Sequence, residues 1–118
     1  MRLRLTPQNI EDAYNYLKNT APFKKWKLPD ADDLEFHVIS DAKMFGHFEI
    51  SSSKRLPIIA VSVAQVKDTL NLMGTVAHET VHLKQFLDAG KRGLTHGPKF
   101  KALAVEVCRV HGWDPKHF

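Results

Sequence analysis

The sequence predicts a single α+β domain, because helical and extended hydrophobic patterns follow one another in three blocks. In the first block, residues 7–19 repeat apolar side chains every three or four positions, as one face of a helix does. Three short apolar segments follow, and two further helical segments occupy residues 70–87 and 98–111. A chain of 118 residues can build one modest core but not two, so we expect one domain over residues 1–118.

The composition excludes several kinds of protein. Hydrophobic residues make up 43% of the chain and charged residues 25%, which is typical of a soluble globular domain. No apolar run reaches the length of a membrane span or a signal peptide, so we expect no membrane association and a cytoplasmic location. Cys108 is the only cysteine, which excludes an internal disulfide and a zinc ribbon built from cysteines.

The charge balance is mildly basic, with a net charge of +4 and a pI near 9.3. Such an excess permits contact with nucleic acid, although it is also an ordinary solubility feature. We expect weak DNA binding by the basic side chains between residues 91 and 101, and this binding should fall steeply as salt rises.

The first and last helices carry clear boundary signals. Thr6 and Pro7 suit the N-cap and the first helical position, and Pro98 opens the last helix in the same way. Gly112 is expected to close that helix. Residues 21–33 are expected to form a loop that packs against the first helix. The predicted buried faces consist of Ile10, Ala13, Tyr14 and Leu17 in the first helix, and Phe100, Leu103, Ala104, Val107 and Val110 in the last.

The middle block predicts three strands, at residues 34–39, 44–50 and 56–63. Their short connections predict a three-stranded antiparallel meander. Gly46 interrupts the second strand, and a glycine there indicates a bulge or a close approach of another backbone. His37 and His47 lie in these strands, but their spacing marks neither as a metal ligand, so we expect structural or surface roles for both.

The helix predicted at residues 70–87 carries the motif H-E-x-x-H at positions 78–82. Because positions i and i+4 lie one above the other on a helix, His78 and His82 can bind one zinc ion. Glu79 would then point to the side, where it can meet a water molecule on the metal. The opposite face is expected to pack on the core through Leu72, Met73, Val76, Leu83 and Leu87.

A catalytic zinc site needs a third protein ligand and one open position. The extended metzincin motif does not supply it, because Gln85 and Asp88 stand where that motif has glycine and histidine. Two candidates remain, His96 before the last helix and Glu106 within it. They would be about 15 Å apart along a helix, so one ion cannot bind both.

The pairing of H-E-x-x-H with His-Gly-Pro-x-Phe at residues 96–100 resembles the SprT/Spartan-like family of zinc metallopeptidases. Gly46 also falls where that family tends to have a glycine on an earlier strand. The likeness covers residues 34–112 and concerns the catalytic domain only. Many members carry a C-terminal cysteine zinc ribbon, and Cys108 alone cannot form one in this chain.

The resemblance implies a zincin-like minimal domain in which His96 is the third zinc ligand and Glu79 the catalytic base. The enzyme would be a zinc metalloendopeptidase with protein or peptide substrates, one Zn²⁺ per chain and a monomeric state. Local geometry also favours His96, because Pro98 at the first helical position leaves it outside the helix and free to turn back. Glu106 falls at the edge of the exposed helical face, where it can pair with Arg109.

Two other functions fit the same residues. One is a non-catalytic module that binds nucleic acid or a partner around a structural zinc, although such a site has no need of Glu79. The other is a zinc hydrolase of a non-peptide bond. A peptide substrate is expected to add as a strand along the segment containing Gly46 or along residues 56–63. Tyr14 and Tyr16 are candidates for oxyanion stabilisation that helix packing explains equally well.

Overall fold

Three helices and one three-stranded sheet make up the part of the chain that the computed structural model describes, residues 2–118. In chain order they are α1 (Pro7–Lys18), β1 (Glu35–Ile39), β2 (Gly46–Ile50), β3 (Pro57–Ser62), α2 (Thr69–Ala89) and α3 (Pro98–His111). Short 3-10 turns lie at Phe23–Lys25, Ala31–Asp33, Gly90–Gly93 and Pro115–His117. The predicted α+β class is confirmed, and no helix or strand end differs from its predicted position by more than two residues.

The order of the strands shows that the predicted antiparallel meander is wrong. β3 lies in the centre of a mixed sheet, parallel to β1 and antiparallel to β2. β2 and β3 form the expected hairpin, with Gly46 opposite Val61 and Ile50 opposite Pro57. β1 pairs with β3 instead of with its neighbour in sequence, so the connection between β1 and β2 has to cross the end of β3.

The central position of β3 follows from its composition. Its residues Ile58 to Ser62 are all at most 5% exposed, and a strand covered on both faces belongs inside a sheet. The Ser62 hydroxyl holds the crossing connection, because it donates to the main-chain oxygen of Asp41 at 2.7 Å and accepts from the Asp41 amide at 2.9 Å. Since both edges of β3 are paired, the expectation that a peptide docks along residues 56–63 is wrong.

α1 packs on the sheet and on α2. Thr6 and Asn9 cap its first turn reciprocally, each side chain accepting a hydrogen bond from the other residue's amide. The following loop packs against α1 as predicted, since Phe23 is fully buried and the Tyr14 hydroxyl donates to the main-chain oxygen of Pro29 at 2.6 Å.

α2 is the longest element, and it is buried on more than one side. Its N-cap is Asp68, whose side chain accepts a hydrogen bond from the Asn71 amide at 2.8 Å. Leu72, Val76 and Leu83 are buried as predicted, whereas Leu87 is 46% exposed, so that prediction is wrong. A helix of 21 residues is about 31 Å long, which is longer than any strand of the sheet.

α3 packs along α2 and ends at Gly112, which has a positive φ of 78°. The predicted face is buried at Phe100, Ala104 and Val107, but Val110 near the end of the helix is 40% exposed, which corrects the prediction there. No helix within residues 2–118 is long and apolar enough to cross a lipid bilayer.

Gly46 brings the backbone of β2 directly against α2. A Cβ atom at this position would lie 2.6 Å from Thr75 Cγ2, 2.9 Å from the main-chain oxygen of Ala60 and 3.0 Å from Glu79 Oε2. All three distances are shorter than ordinary van der Waals contact, so the predicted close approach at this glycine is confirmed.

We predict that Gly46→Ala lowers the free energy of unfolding by about 1–3 kcal/mol, because the added methyl group overpacks the contact between β2 and α2. Gly74→Ala is the matched control, since a Cβ there has no neighbouring atom within 4 Å. The control should gain up to about 1 kcal/mol from improved helix propensity. Urea denaturation of the metal-free proteins measures both values. Equal effects of the two substitutions would contradict this account of Gly46.

Candidate metal centre

Three histidine side chains converge at one point beside α2. His78 and His82 occupy successive turns of the helix, and His96 comes from the loop before α3. Nε2 of His96 lies 3.2 Å from Nε2 of His78 and 3.0 Å from Nε2 of His82. Glu106, the alternative third ligand, is not part of this cluster.

A side chain of α2 holds the loop that carries His96 by a hydrogen bond to the main chain of the loop. Gln85 donates from its side-chain amide to the main-chain oxygen of Thr95 at 2.9 Å. The Thr95 hydroxyl accepts a hydrogen bond from the Gly97 amide at 2.7 Å, immediately before α3 begins at Pro98. The chain therefore turns back towards α2 at His96.

One phenylalanine supports all three imidazole rings. The ring of Phe100 lies 4.9 Å from the His78 ring, 4.8 Å from the His82 ring and 4.9 Å from the His96 ring, measured between centroids. Phe100 is itself buried. The spacing in His-Gly-Pro-x-Phe thus places one ligand candidate and the support beneath it on the same short segment.

Hydrogen bonds at the far side of two rings orient them towards the centre of the cluster. Nδ1 of His78 donates to the main-chain oxygen of Phe118 at 2.9 Å, and Nδ1 of His82 donates to Gln85 Oε1 at 2.8 Å. An oxygen acceptor keeps the proton on Nδ1, so the Nε2 lone pair of each ring is free to bind a cation.

The three residues fit a single metal ion. Around a tetrahedral zinc with Zn–N bonds of about 2.0–2.1 Å, neighbouring nitrogens are separated by about 3.3 Å. The separations of 3.0 and 3.2 Å from His96 to the other two nitrogens are close to that value, and all three ligand atoms lie within 4.8 Å of one another. Lone pairs that face one another at this distance repel unless a cation or a proton lies between them. No other group of three potential ligands occurs within residues 2–118.

Burial keeps two of the candidate ligands neutral. It lowers the pKa of His78 to about 4, with a further contribution from the neighbouring His82. Burial also lowers the pKa of His82, partly offset by the hydrogen bond to Gln85. Both imidazoles are therefore uncharged near pH 7, which is the form that binds metals.

Glu79 is a buried acid beside the cluster. It is 5% exposed, and burial raises its pKa to about 8. No neighbouring charge contributes to this shift. Burying a carboxyl group without an ion pair lowers stability, so its position calls for a functional explanation.

The cluster opens into a cavity of about 270 Å³. Three residues of β2 form one wall, namely Gly46, His47 and Phe48, and the loop residues Leu94 and Thr95 form another. Glu79 lines the same cavity, so the acid and the three imidazoles face a common space.

The other residues that the sequence analysis considered lie outside the cluster or at the edge of its cavity. His37 and His47 are exposed and lie 3.0 Å from Glu35 and 3.4 Å from Glu49, respectively, which agrees with the predicted surface roles. His47 also contributes to the cavity wall, a role that its sequence position did not indicate.

The two tyrosines considered for oxyanion stabilisation do not line this cavity. Tyr14 is buried against Pro29, as described above, and Tyr16 is 60% exposed. Helix packing and exposure to solvent account for them.

Comparison of the chain with protein-family models, curated proteins and solved structures found no match. The resemblance to the SprT/Spartan-like family therefore rests on the motif residues and stays a prediction. The same holds for the zincin-like assignment of the fold.

We predict that His96→Ala weakens zinc binding by orders of magnitude, because one of three converging nitrogens is lost. Glu106→Ala is the matched control on α3 and should bind zinc like the wild type. Titration of the metal-free proteins with zinc, together with elemental analysis, measures affinity and a stoichiometry of about one ion per chain. The opposite pattern would assign the third ligand to Glu106.

We also predict that the stability of the metal-free protein depends on pH. The pKa of Glu79 rises from 4.5 in the unfolded chain to about 8 in the folded one, so its contribution to stability is full below pH 4.5 and disappears as pH rises through 8. Folding lowers the pKa of His78 and His82, which makes stability rise with pH near 6.5, so their effect has to be removed by comparison with Glu79→Gln. Relative to Glu79→Gln, the free energy of unfolding of the wild type should fall between pH 6.5 and 8 by up to about 1.4 kcal/mol per pH unit.

Glu79→Gln is the control for this measurement, because glutamine does not titrate. Urea denaturation with a chelator present, at several pH values from 6.5 to 8, compares the two slopes. A wild-type slope no more negative than that of Glu79→Gln would show that the acid does not hold its proton in the folded state.

Proposed function

We infer that the protein is a zinc-dependent endopeptidase that hydrolyses peptide bonds. The observation that carries this proposal is the shared cavity, into which three converging imidazole nitrogens and one buried carboxyl group open. Metal-assisted hydrolysis requires ligands for the metal and an acceptor for a proton. The three histidines can supply the ligands, and the adjacent acid can supply the acceptor.

His78, His82 and His96 would hold the zinc ion through their Nε2 atoms. When bound, zinc would supply a Lewis acid that lowers the pKa of water and polarises a carbonyl group. The hydrogen bonds from His78 to Phe118 and from His82 to Gln85 keep these two rings oriented and raise the basicity of their free nitrogens.

Glu79 would act as the general base. Its carboxylate accepts a proton from the attacking water and delivers that proton to the nitrogen of the departing amine. The raised pKa of Glu79 favours holding the proton between these two steps, and a cation among the histidines would restore the charged form before the next turnover. A purely structural zinc site gives no reason to bury this acid.

β2 supports a peptide as the substrate. It is an edge strand, so one row of its main-chain amide and carbonyl groups is free of the sheet, and its residues Gly46 to Phe48 line the cavity. An extended peptide could add to this edge and carry its main chain past the histidines. The alternative functions are hydrolysis of another bond and non-catalytic binding. Neither gives a comparable role to the free edge of β2 beside the histidines.

DNA binding would be a separate property. Lys91, Arg92, Lys99 and Lys101 flank the loop that carries His96, and all four are exposed. Their position fits the weak, salt-dependent contact with phosphates that the sequence predicts.

We predict that Glu79→Gln retains the fold and the zinc but lowers turnover by about 10²–10⁴-fold, because the amide cannot accept a proton. The assay is cleavage of an unfolded protein, with and without a chelator. Glu106→Gln is the matched control and should cleave like the wild type. Loss of zinc from Glu79→Gln would make Glu79 a ligand, and undiminished turnover would exclude it as the base.

A further inference from the structure

A second and larger cavity adjoins the metal centre. Its volume is about 810 Å³, and Gly46, His78 and Glu79 line both cavities. The two cavities therefore form one continuous groove, with the histidine cluster and the acid at the junction. A substrate held at the junction would extend into the larger cavity.

The larger cavity is mainly apolar. The first turns of α2 contribute Leu70 and Gly74, the segment before β2 contributes Phe45, and the segment after α3 contributes Trp113 and Phe118. Leu70 is 66% exposed and Phe45 is 49% exposed, so two large apolar side chains face solvent next to the metal centre. Apolar side chains left exposed inside a cavity are typical of a binding site.

The charges around this cavity do not favour an ionic ligand. Lys43 and His117 lie on its lining together with Asp114, and Asp114 and His117 approach each other to 3.8 Å. Positive and negative groups are thus mixed, and no cluster of one sign is aimed into the cavity. The apolar lining is the feature that can select an occupant.

We propose that this cavity is the subsite for a large apolar side chain, such as leucine, methionine or phenylalanine, next to the bond that is cleaved. The proposal rests on the endopeptidase function inferred above and narrows its substrates to extended protein segments that expose such side chains. A peptide added along β2 alternates its side chains between two sides, so one of them would enter the cavity while the main chain passes the histidines.

Gly74 keeps the cavity open. It lies one helical turn before His78, and a Cβ there would meet no atom within 4 Å. Side chains on a helix lean towards its N-terminus, so a larger residue at position 74 would extend over Leu70 and away from His78. Filling the cavity from this position should therefore leave the metal centre intact.

A binding experiment tests the subsite without turnover. The protein carries Trp26→Phe and Glu79→Gln, is loaded with zinc, and retains Trp113 as its only tryptophan. Two peptides differ only in a central leucine or glycine, and binding is followed by Trp113 fluorescence. We expect the leucine peptide to bind about 10- to 100-fold more tightly, the range that burial of one such side chain provides.

Substitutions at position 74 should reduce the preference for the leucine peptide, and a larger side chain should reduce it more. Gly74→Leu should abolish it and Gly74→Ala should reduce it by a smaller factor. Ala102→Leu, which adds the same side chain at an exposed position of α3, should leave it unchanged. Equal binding of the two peptides, or a preference that persists in Gly74→Leu, would overturn the proposal.

A cleavage experiment separates the subsite from the proposed function. Mass spectrometry of a digested unfolded protein should show large apolar residues enriched at one position beside the cut, and Gly74→Leu should remove that enrichment. Cleavage without enrichment overturns the subsite and leaves the peptidase function standing. Selective binding without any cleavage supports the subsite and overturns the peptidase function.

A second copy of the chain is the alternative occupant of the apolar surface. Sedimentation measurements on wild type and Gly74→Leu distinguish it, since a subsite requires the same monomeric state in both. A wild-type dimer that Gly74→Leu dissociates would make this surface a subunit interface and overturn the proposal.

Discussion

The direct contact between the backbone of β2 and α2 at Gly46 determines how the rest of the site is arranged. Because Gly46 has no side chain, the strand lies directly against the Thr75 and Glu79 side chains of α2 and helps to exclude water from the Glu79 carboxyl group. That exclusion raises the pKa of Glu79. The same contact divides the groove into a small cavity on the His96 side and a larger one on the Trp113 side.

Local sequence patterns predicted the helices and strands well but not the order of the strands. Hydrophobic periodicity and boundary residues such as Thr6 and Pro98 act within a few positions, so they specify elements and their ends. Strand pairing is decided by which segment is buried on both faces. The nearly continuous apolar run at residues 57–61 indicates such a strand. Short connections by themselves favour pairing between neighbours in sequence, and that pattern predicts the wrong strand order.

The site was predictable where it depends on helix geometry and not where it depends on tertiary contacts. The spacing of His78 and His82 requires only one regular helix, and Pro98 indicates that His96 lies outside the next one. The acceptor for His78 is a main-chain oxygen 40 residues away, which no local pattern encodes. Gln85 is close in sequence to His82, yet its hydrogen bond to the main-chain oxygen of Thr95 forms only once the loop has folded back.

The hydrogen bond from His78 to the main-chain oxygen of Phe118 links the segment after α3 to the cluster on α2. The Trp113 and Phe118 rings of that segment stack on each other, with centroids 6.3 Å apart. Ordering of the segment and binding of a cation by the cluster would therefore be thermodynamically coupled. By reciprocity, a molecule that pulls this segment away would weaken ion binding by the same factor as the ion opposes its removal.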